Sequence, residues 1–184
     1  MIDKEIIIAV ISEMDGNFKE NTEFFSETRD IFTARLQSYI LRFNKYLEAA
    51  VIGEIGNNTF DHNFIFKNEH PRGVYCNFSY KQDYTIIADY GMGIKNSLLP
   101  VMPSINTDLE AVETAFTKRI SGRSPEQRGN GLKFVSETII QNNWYLYFQS
   151  GSGSCSISKN GMFFNEETFF LNGCLAIINF KEGL

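Results

Sequence analysis

The chain has 184 residues, a length that usually forms one domain with a sizeable buried core. Its 43% apolar, 21% charged and 14% aromatic content is typical of a folded globular protein and excludes a disordered one. A net charge of −5 argues against a general nucleic-acid coat or a polybasic membrane anchor, and no apolar run approaches the ~18 residues of a membrane span.

The cysteines and the first residues of the chain indicate its compartment. Cys76, Cys155 and Cys174 are widely spaced and form neither a CxxC zinc pattern nor a disulfide framework. With two histidines and no His/Cys cluster, a transition-metal site is not expected. The apolar run 6–11 is short and has acidic flanks, unlike a secretory signal. We expect a reduced, cytoplasmic compartment, with no nucleic acid and no membrane as partner.

Residues 1–45 are interpreted as an N-terminal extension, helical and packed on the rest of the chain or on a partner. The run 4–14 suits a short amphipathic helix or a strand, and periodicity does not decide between them. From about residue 27 to residue 62, apolar side chains recur at three- and four-residue spacing, which predicts one long helix or two in line. The apolar stripe of the extension fits internal core, a cover for the sheet, or a surface for a second subunit or another partner.

Residues 74–80 and 84–89 are rich in β-branched and aromatic side chains and predict a β-hairpin. Residues 95–128 differ, because they hold three of the four prolines around a predicted helix at 108–119. We interpret this segment as a mobile lid rather than a linker.

The last third of the chain predicts one helix and further strands. The helix runs from residue 131 to about 142, and turn signals occur at 151–153 and 160–161. The predicted strands are 144–149, 154–158 and 174–180. The order predicts an α/β fold, a two-layer α/β sandwich in which helices cover one face of a mixed sheet.

Glu54, Asn58 and His62 are spaced i, i+4, i+8 and therefore share one face of the predicted helix. A carboxylate, an amide oxygen and an imidazole in this arrangement suit a hydrated cation and its anionic partner, since Mg²⁺ prefers oxygen ligands and keeps several waters. The carboxylate is placed to orient or deprotonate a nucleophile. A solvated helix face without a role is the alternative.

Asp89, Gly91, Gly93 and Ile94 follow directly at the end of a predicted strand. Glycine allows the backbone to approach a ligand closely and permits positive φ. A carboxylate at this point can accept a hydrogen bond from an amine. A plain turn is the alternative.

Arg128, Gly129, Asn130, Gly131 and Leu132 open a predicted helix. Free N–H groups at such a helix start favour an anion, and phosphate is the obvious candidate. Residues 115–133 carry five basic side chains and one acidic, a local +4 on an acidic chain. A helix cap with a solvated charge run is the alternative.

Together, a helix with E-x-x-x-N-x-x-x-H, a strand ending in D-x-G-x-G, a lid, and G-x-G-L opening a helix resemble the GHKL ATPase superfamily. That superfamily includes histidine kinases, anti-sigma-factor serine kinases, gyrase-type topoisomerases, mismatch-repair ATPases and ninety-kilodalton heat-shock chaperones. The resemblance covers roughly residues 30–181 and implies a Bergerat ATP-binding fold, with a histidine-kinase-like ATPase domain at 46–184. The chain contains neither a P-loop nor a Rossmann glycine fingerprint.

The resemblance implies ATP and Mg²⁺ as ligands. Asn58 would then be the Mg²⁺ ligand, Glu54 would orient or activate the water or acceptor hydroxyl, and His62 would lie near the phosphates. Asp89 would accept a hydrogen bond from the adenine amine. The other residues expected at the nucleotide are Gly91, Gly93, Ile94, Arg123, Ser124, Arg128, Gly129, Asn130, Gly131 and Leu132.

The layout is closest to the anti-sigma-factor-type serine kinases and implies an ATPase or serine/threonine-type protein kinase that acts on a small protein partner. An alternative is an ATP-gated interaction module, a switch or one half of a regulatory or toxin–antitoxin pair. A degenerate fold without catalysis and a homodimer are further alternatives. Tyr90 departs from the Asn of many relatives, and no histidine precedes His62, so a histidine autokinase is not expected.

Overall fold

The computed structural model describes residues 2, 4–17, 23–62, 73–81, 83–118 and 131–181, and side chains at 14–17 and 62 are not included in the description. The elements in chain order are α1 (Lys4–Asn17), β1 (Phe25–Ser26), α2 (Arg29–Phe43), α3 (Tyr46–His62), β2 (Val74–Tyr80), β3 (Tyr84–Asp89), α4 (Gly93–Leu98), α5 (Asp108–Thr117), α6 (Gly131–Gln141), β4 (Tyr145–Ser158) and β5 (Gly161–Asn179).

The described strands form one five-stranded sheet in the order β1-β2-β3-β5-β4. Every pairing in it is antiparallel, so the prediction of a mixed sheet is corrected for this part of the chain. The position of β5 in the sheet explains why the pairings are antiparallel. Helices α4, α5 and α6 carry the chain across from β3 to β4, and β5 then inserts between those two strands and pairs antiparallel with both.

Helices α2, α3, α5 and α6 cover one face of the sheet, which confirms the predicted two-layer α/β sandwich. Phe32, Ile52, Phe116 and Ile139 reach into the core from these four helices. Each is at most 1% exposed, and they meet sheet side chains such as Ile87. This layer packs α3 against β3, the strand that ends at Asp89, and packs α6 against α3 and β4.

Helix α1 belongs to a second apolar cluster, which lies on the opposite face of the sheet. Ile7 and Val10 are buried there with Ile86 of β3 and Leu175 of β5. The segment that suits either a helix or a strand in the sequence is therefore a helix, packed on the sheet. The Tyr80 hydroxyl of β2 also donates to Glu13 Oε1 at 2.9 Å.

Over the segment where the sequence predicts one long helix or two in line, the chain forms two helices. Asn44 adopts a left-handed conformation, φ 57°, and its N–H donates to the Ile40 carbonyl, which ends α2. Helix α3 begins at Tyr46. None of the helices in the described ranges is both long and apolar enough to cross a membrane.

Much of the predicted lid is packed. Residues 93–118 include α4, which the sequence did not predict, and α5, whose Val112 and Phe116 are fully buried. Leu98, Ile105 and Ala111 form a small apolar cluster between α4 and α5. The remaining part of the predicted lid, 119–128, lies outside the described residues.

The glycines at 151–153 bend β4 without ending it. The register between β4 and β5 shifts on both sides of Gly151, so this region is a bulge rather than the predicted turn. Residues 161–173, which the sequence did not predict as strand, form the first part of β5.

Candidate functional site

A cavity lies between the helical layer and the sheet, where β3 ends. Ile55, Asn58 and Thr59 of α3, together with Leu132 of α6, form one wall. Most of the lining is apolar. The other residues around it are Ile87, Asp89, Met92, Gly93, Ile94, Ser97, Phe148, Cys174 and Ala176. Five of the residues predicted at the nucleotide thus surround one cavity: Asn58, Asp89, Gly93, Ile94 and Leu132.

Among the described residues that line this cavity, Asp89 is the charged one, and it is only 6% exposed. The Thr59 hydroxyl donates to its Oδ2 atom at 2.8 Å, and the backbone N–H of Gly91 donates to its Oδ1 atom at 2.6 Å. Both donors fix the orientation of the carboxylate. An ionised carboxylate accepts hydrogen bonds only, so this group suits a ligand that offers an N–H.

The turn after Asp89 needs its second glycine. Gly93 has a φ of +73°, and an added Cβ would lie 2.9 Å from the Ser150 hydroxyl. That hydroxyl accepts from the N–H of Ile94 at 2.9 Å and donates to the carbonyl of Gly173 at 3.0 Å. The bulge between β4 and β5 therefore holds the glycine turn in place. Gly91 does not line the cavity itself and acts through its bond to Asp89.

Glu54 lies one helical turn before Asn58 and close to the start of α6. An added Cβ on Gly131 would overlap the Glu54 Oε2 atom. The structure therefore brings Glu54 of the first predicted cluster next to Gly131 of the third. Neither lines the cavity, and Asn58 lies on the same helix at its border. The neighbouring Asn57 has a buried Oδ1 atom, and no described residue forms a hydrogen bond with it.

Three His, Cys, Asp or Glu side chains do not converge on a metal site anywhere in the described part of the chain. A cation at Asn58 would therefore need further oxygens from water or from a bound ligand. Mg²⁺ accepts such an arrangement, since it usually takes few protein ligands and completes its shell with water and phosphate oxygens. The amide of Asn58 fits that role.

Some of the residues predicted at the nucleotide fall outside the part of the chain that the structure describes. Arg123, Ser124, Arg128, Gly129 and Asn130 lie outside the described residues. His62 is the last residue of α3, and its side chain is not included in the description. Their predicted contacts with phosphates stay predictions.

Thr59 and Cys174 are among the cavity residues that the sequence prediction missed, and both lie next to Asp89. Thr59 is 5% exposed and binds Asp89 directly. Cys174 pairs with Asp89 across β3 and β5 and lines the cavity. Burial raises the pKa of the Cys174 thiol, and the Asp89 carboxylate adds to that rise, so the thiol stays protonated at neutral pH. Thr59 could have been selected from the sequence, since it directly follows Asn58 on the predicted helix. Cys174 could not, because it reaches the site only through the pairing of β3 with β5.

A scan against protein-family models matched none, and a search of curated proteins found no match. The interpretation of the site therefore depends on its residues and their geometry.

Proposed function

We propose that this chain is a Mg²⁺-dependent ATP-binding protein of the GHKL type, an ATPase or serine/threonine-type protein kinase that acts on a small protein partner in the cytoplasm. The observation that carries the proposal is the assembly of Asn58, Asp89, Gly93 and Leu132 around one cavity. These residues come from three separate sequence clusters, and the resemblance assigns all of them to one nucleotide.

The adenine base fits the chemistry of the cavity. Ile55, Ile87 and Phe148 offer apolar surface to a flat ring, while Asp89 offers a fixed acceptor. Apolar pockets with a few well-placed polar groups are typical of small-molecule sites. Asp89 would accept the hydrogen bond from the exocyclic amine.

The phosphates and Mg²⁺ would lie between α3 and the start of α6. Asn58 would provide one amide oxygen to the metal, and the first N–H groups of α6, at Gly131 and Leu132, would face the phosphates. When bound, Mg²⁺ neutralises charge on the phosphates. Because no three acidic or His/Cys side chains converge among the described residues, Mg²⁺ and nucleotide are expected to bind together.

Glu54 is the proposed catalytic residue. Its carboxylate would accept the proton of the attacking water or acceptor hydroxyl as the new P–O bond forms. The bond from the γ-phosphorus to the leaving oxygen breaks, and ADP leaves with that bonding pair. The exposure of Glu54 leaves it accessible to a hydroxyl from solvent or from a partner.

An exposed apolar corner favours the second candidate, an ATP-gated interaction module. Leu41, Phe43, Tyr46 and Leu47 lie where α2 meets α3 and are 85%, 50%, 65% and 42% exposed. Clustered exposed apolar side chains often mark protein-interaction surfaces. In this candidate, ATP would change the availability of a surface instead of supplying a phosphoryl group to a substrate.

The test uses ATP with a labelled γ-phosphate, Mg²⁺ and purified protein, with and without lysate from the source cells. Label on a second protein that is lost with Glu54→Ala supports the kinase and identifies its substrate. Label released only as free phosphate, or retained on bound ATP, supports the ATPase or the gated module. Absence of ATP binding by calorimetry at millimolar ATP and Mg²⁺ would overturn the proposal.

A further inference from the structure

We infer that Gly131 is a positioning residue for Glu54. Because Gly131 has no side chain, the Glu54 carboxylate can lie directly against the start of α6. The contact itself is independent of the proposed function. Its consequence for catalysis rests on that function, because Glu54 is the proposed catalytic residue.

The contact is defined by the side chain of Glu54 and the empty Cβ position of Gly131. An added Cβ would overlap Glu54 Oε2 and would lie 3.5 Å from Glu54 Cδ and 3.9 Å from Glu54 Cβ. Helices α3 and α6 cannot separate to relieve this overlap, because Ile55 of α3 and Val135 of α6 belong to the same buried core. The carboxylate is the part that would move.

Backbone conformation does not require glycine at position 131. Gly131 is the first residue of α6 and has no positive φ, unlike Gly93 or Gly173. Alanine is the better helix former, by up to ~1 kcal/mol in helix interiors. Because Glu54 is exposed, its side chain has room to rotate, and Gly131→Ala should displace the carboxylate without destabilising the fold.

Displacement of a catalytic group by about 1 Å can lower turnover by roughly 100-fold. We expect Gly131→Ala to lower kcat for ATP turnover by roughly 10- to 100-fold while KM for ATP and the Tm stay as in the wild type. The decisive comparison is made in the Glu54→Ala background. There Gly131→Ala should have no further effect on kcat, because the group it displaces is gone.

A different result would overturn the inference. If Gly131→Ala raises KM and leaves kcat unchanged, the glycine serves the phosphates directly. If its effect on kcat persists in Glu54→Ala, it acts through something other than Glu54.

A second measurement tests the contact without nucleotide. In the ¹H–¹⁵N spectrum of the nucleotide-free protein, Glu54→Gln should shift the amides of Gly131 and Leu132, whereas Glu113→Gln, an exposed change on α5, should not. Unshifted amides would refute the contact whatever the protein does with ATP. Shifted amides in a protein that neither binds nor hydrolyses ATP would retain the contact and reject the proposed function.

Discussion

Asp89 is oriented before any ligand arrives, since Thr59 and the Gly91 N–H each donate to one of its oxygens. Asp89→Asn replaces one of these acceptors by an NH₂ group, so the amide cannot satisfy both donors and also accept from an adenine amine. Hydrogen bonds to charged groups contribute about 1.5–3 kcal/mol. We expect ATP to bind roughly 10- to 100-fold more weakly, as measured by isothermal titration calorimetry.

The matched control is Glu113→Gln, which removes the same charge from an exposed position on α5. It should leave the dissociation constant unchanged. Equal affinity in Asp89→Asn and wild type would exclude Asp89 from the base contact.

Thr59 is the residue through which α3 fixes Asp89. Thr59→Val keeps the shape of the side chain but leaves Asp89 Oδ2 without this donor. We expect the free energy of unfolding to fall by about 1–3 kcal/mol and ATP affinity to fall several-fold. Urea denaturation and calorimetry measure the two effects, and Thr59→Ser should restore both. If Thr59→Ser behaves like Thr59→Val, the hydroxyl is not the cause.

Among the secondary-structure elements, the bulge between β4 and β5 supports the site. Gly173 has φ +88°, and an added Cβ would overlap the carbonyl oxygen of Asp89 and lie 2.8 Å from the Gly91 nitrogen. Gly161, the first residue of β5, has φ +107°, but an added Cβ would have no neighbour within 4 Å. A comparison of substitutions at the two glycines therefore distinguishes backbone strain, which is present at both, from steric overlap, which is present only at Gly173.

We expect Gly161→Ala to lower the free energy of unfolding by about 1–2 kcal/mol, from strain at positive φ. Gly173→Ala carries a similar strain and also pushes the backbone at Asp89, so its loss should be larger and should include ATP affinity. Urea denaturation of both variants measures the difference. Equal losses would mean that the bulge yields and does not hold Asp89.

The strands and helices also show which elements can be predicted from local sequence alone. Residues 74–80 and 84–89 are strands with the predicted bounds, because β-branched and aromatic runs joined by a short turn need few distant contacts. Helix α6 begins at the predicted Gly131. Residues 161–173 were missed as strand, since their charged and glycine-containing sequence becomes strand only through its long pairing with β4.

At the scale of the whole molecule, the described parts of the three sequence clusters come together because α3 packs against both β3 and α6. The sequence predicted three of these features, since each is a local pattern. They are the spacing of Glu54 and Asn58, the position of Asp89 at the end of a strand, and the position of Gly131 at the start of a helix. Cys174 was not, because its place beside Asp89 follows from the insertion of β5 between β3 and β4. Local patterns thus predicted where these residues lie on their helices and strands, and topology decided which of them meet.

At the same scale, the N-terminal extension covers one face of the sheet through α1, which is one of the roles predicted for its apolar stripe. Val10 is 1% exposed against the sheet, whereas Ile8 on the same helix is 61% exposed. Val10→Ala should lower the free energy of unfolding by about 2 kcal/mol, because two buried methyl groups are lost. Ile8→Ala should change it by less than about 0.5 kcal/mol. Urea denaturation of both variants tests this, and a Val10→Ala variant as stable as Ile8→Ala would mean that α1 does not cover the sheet in solution.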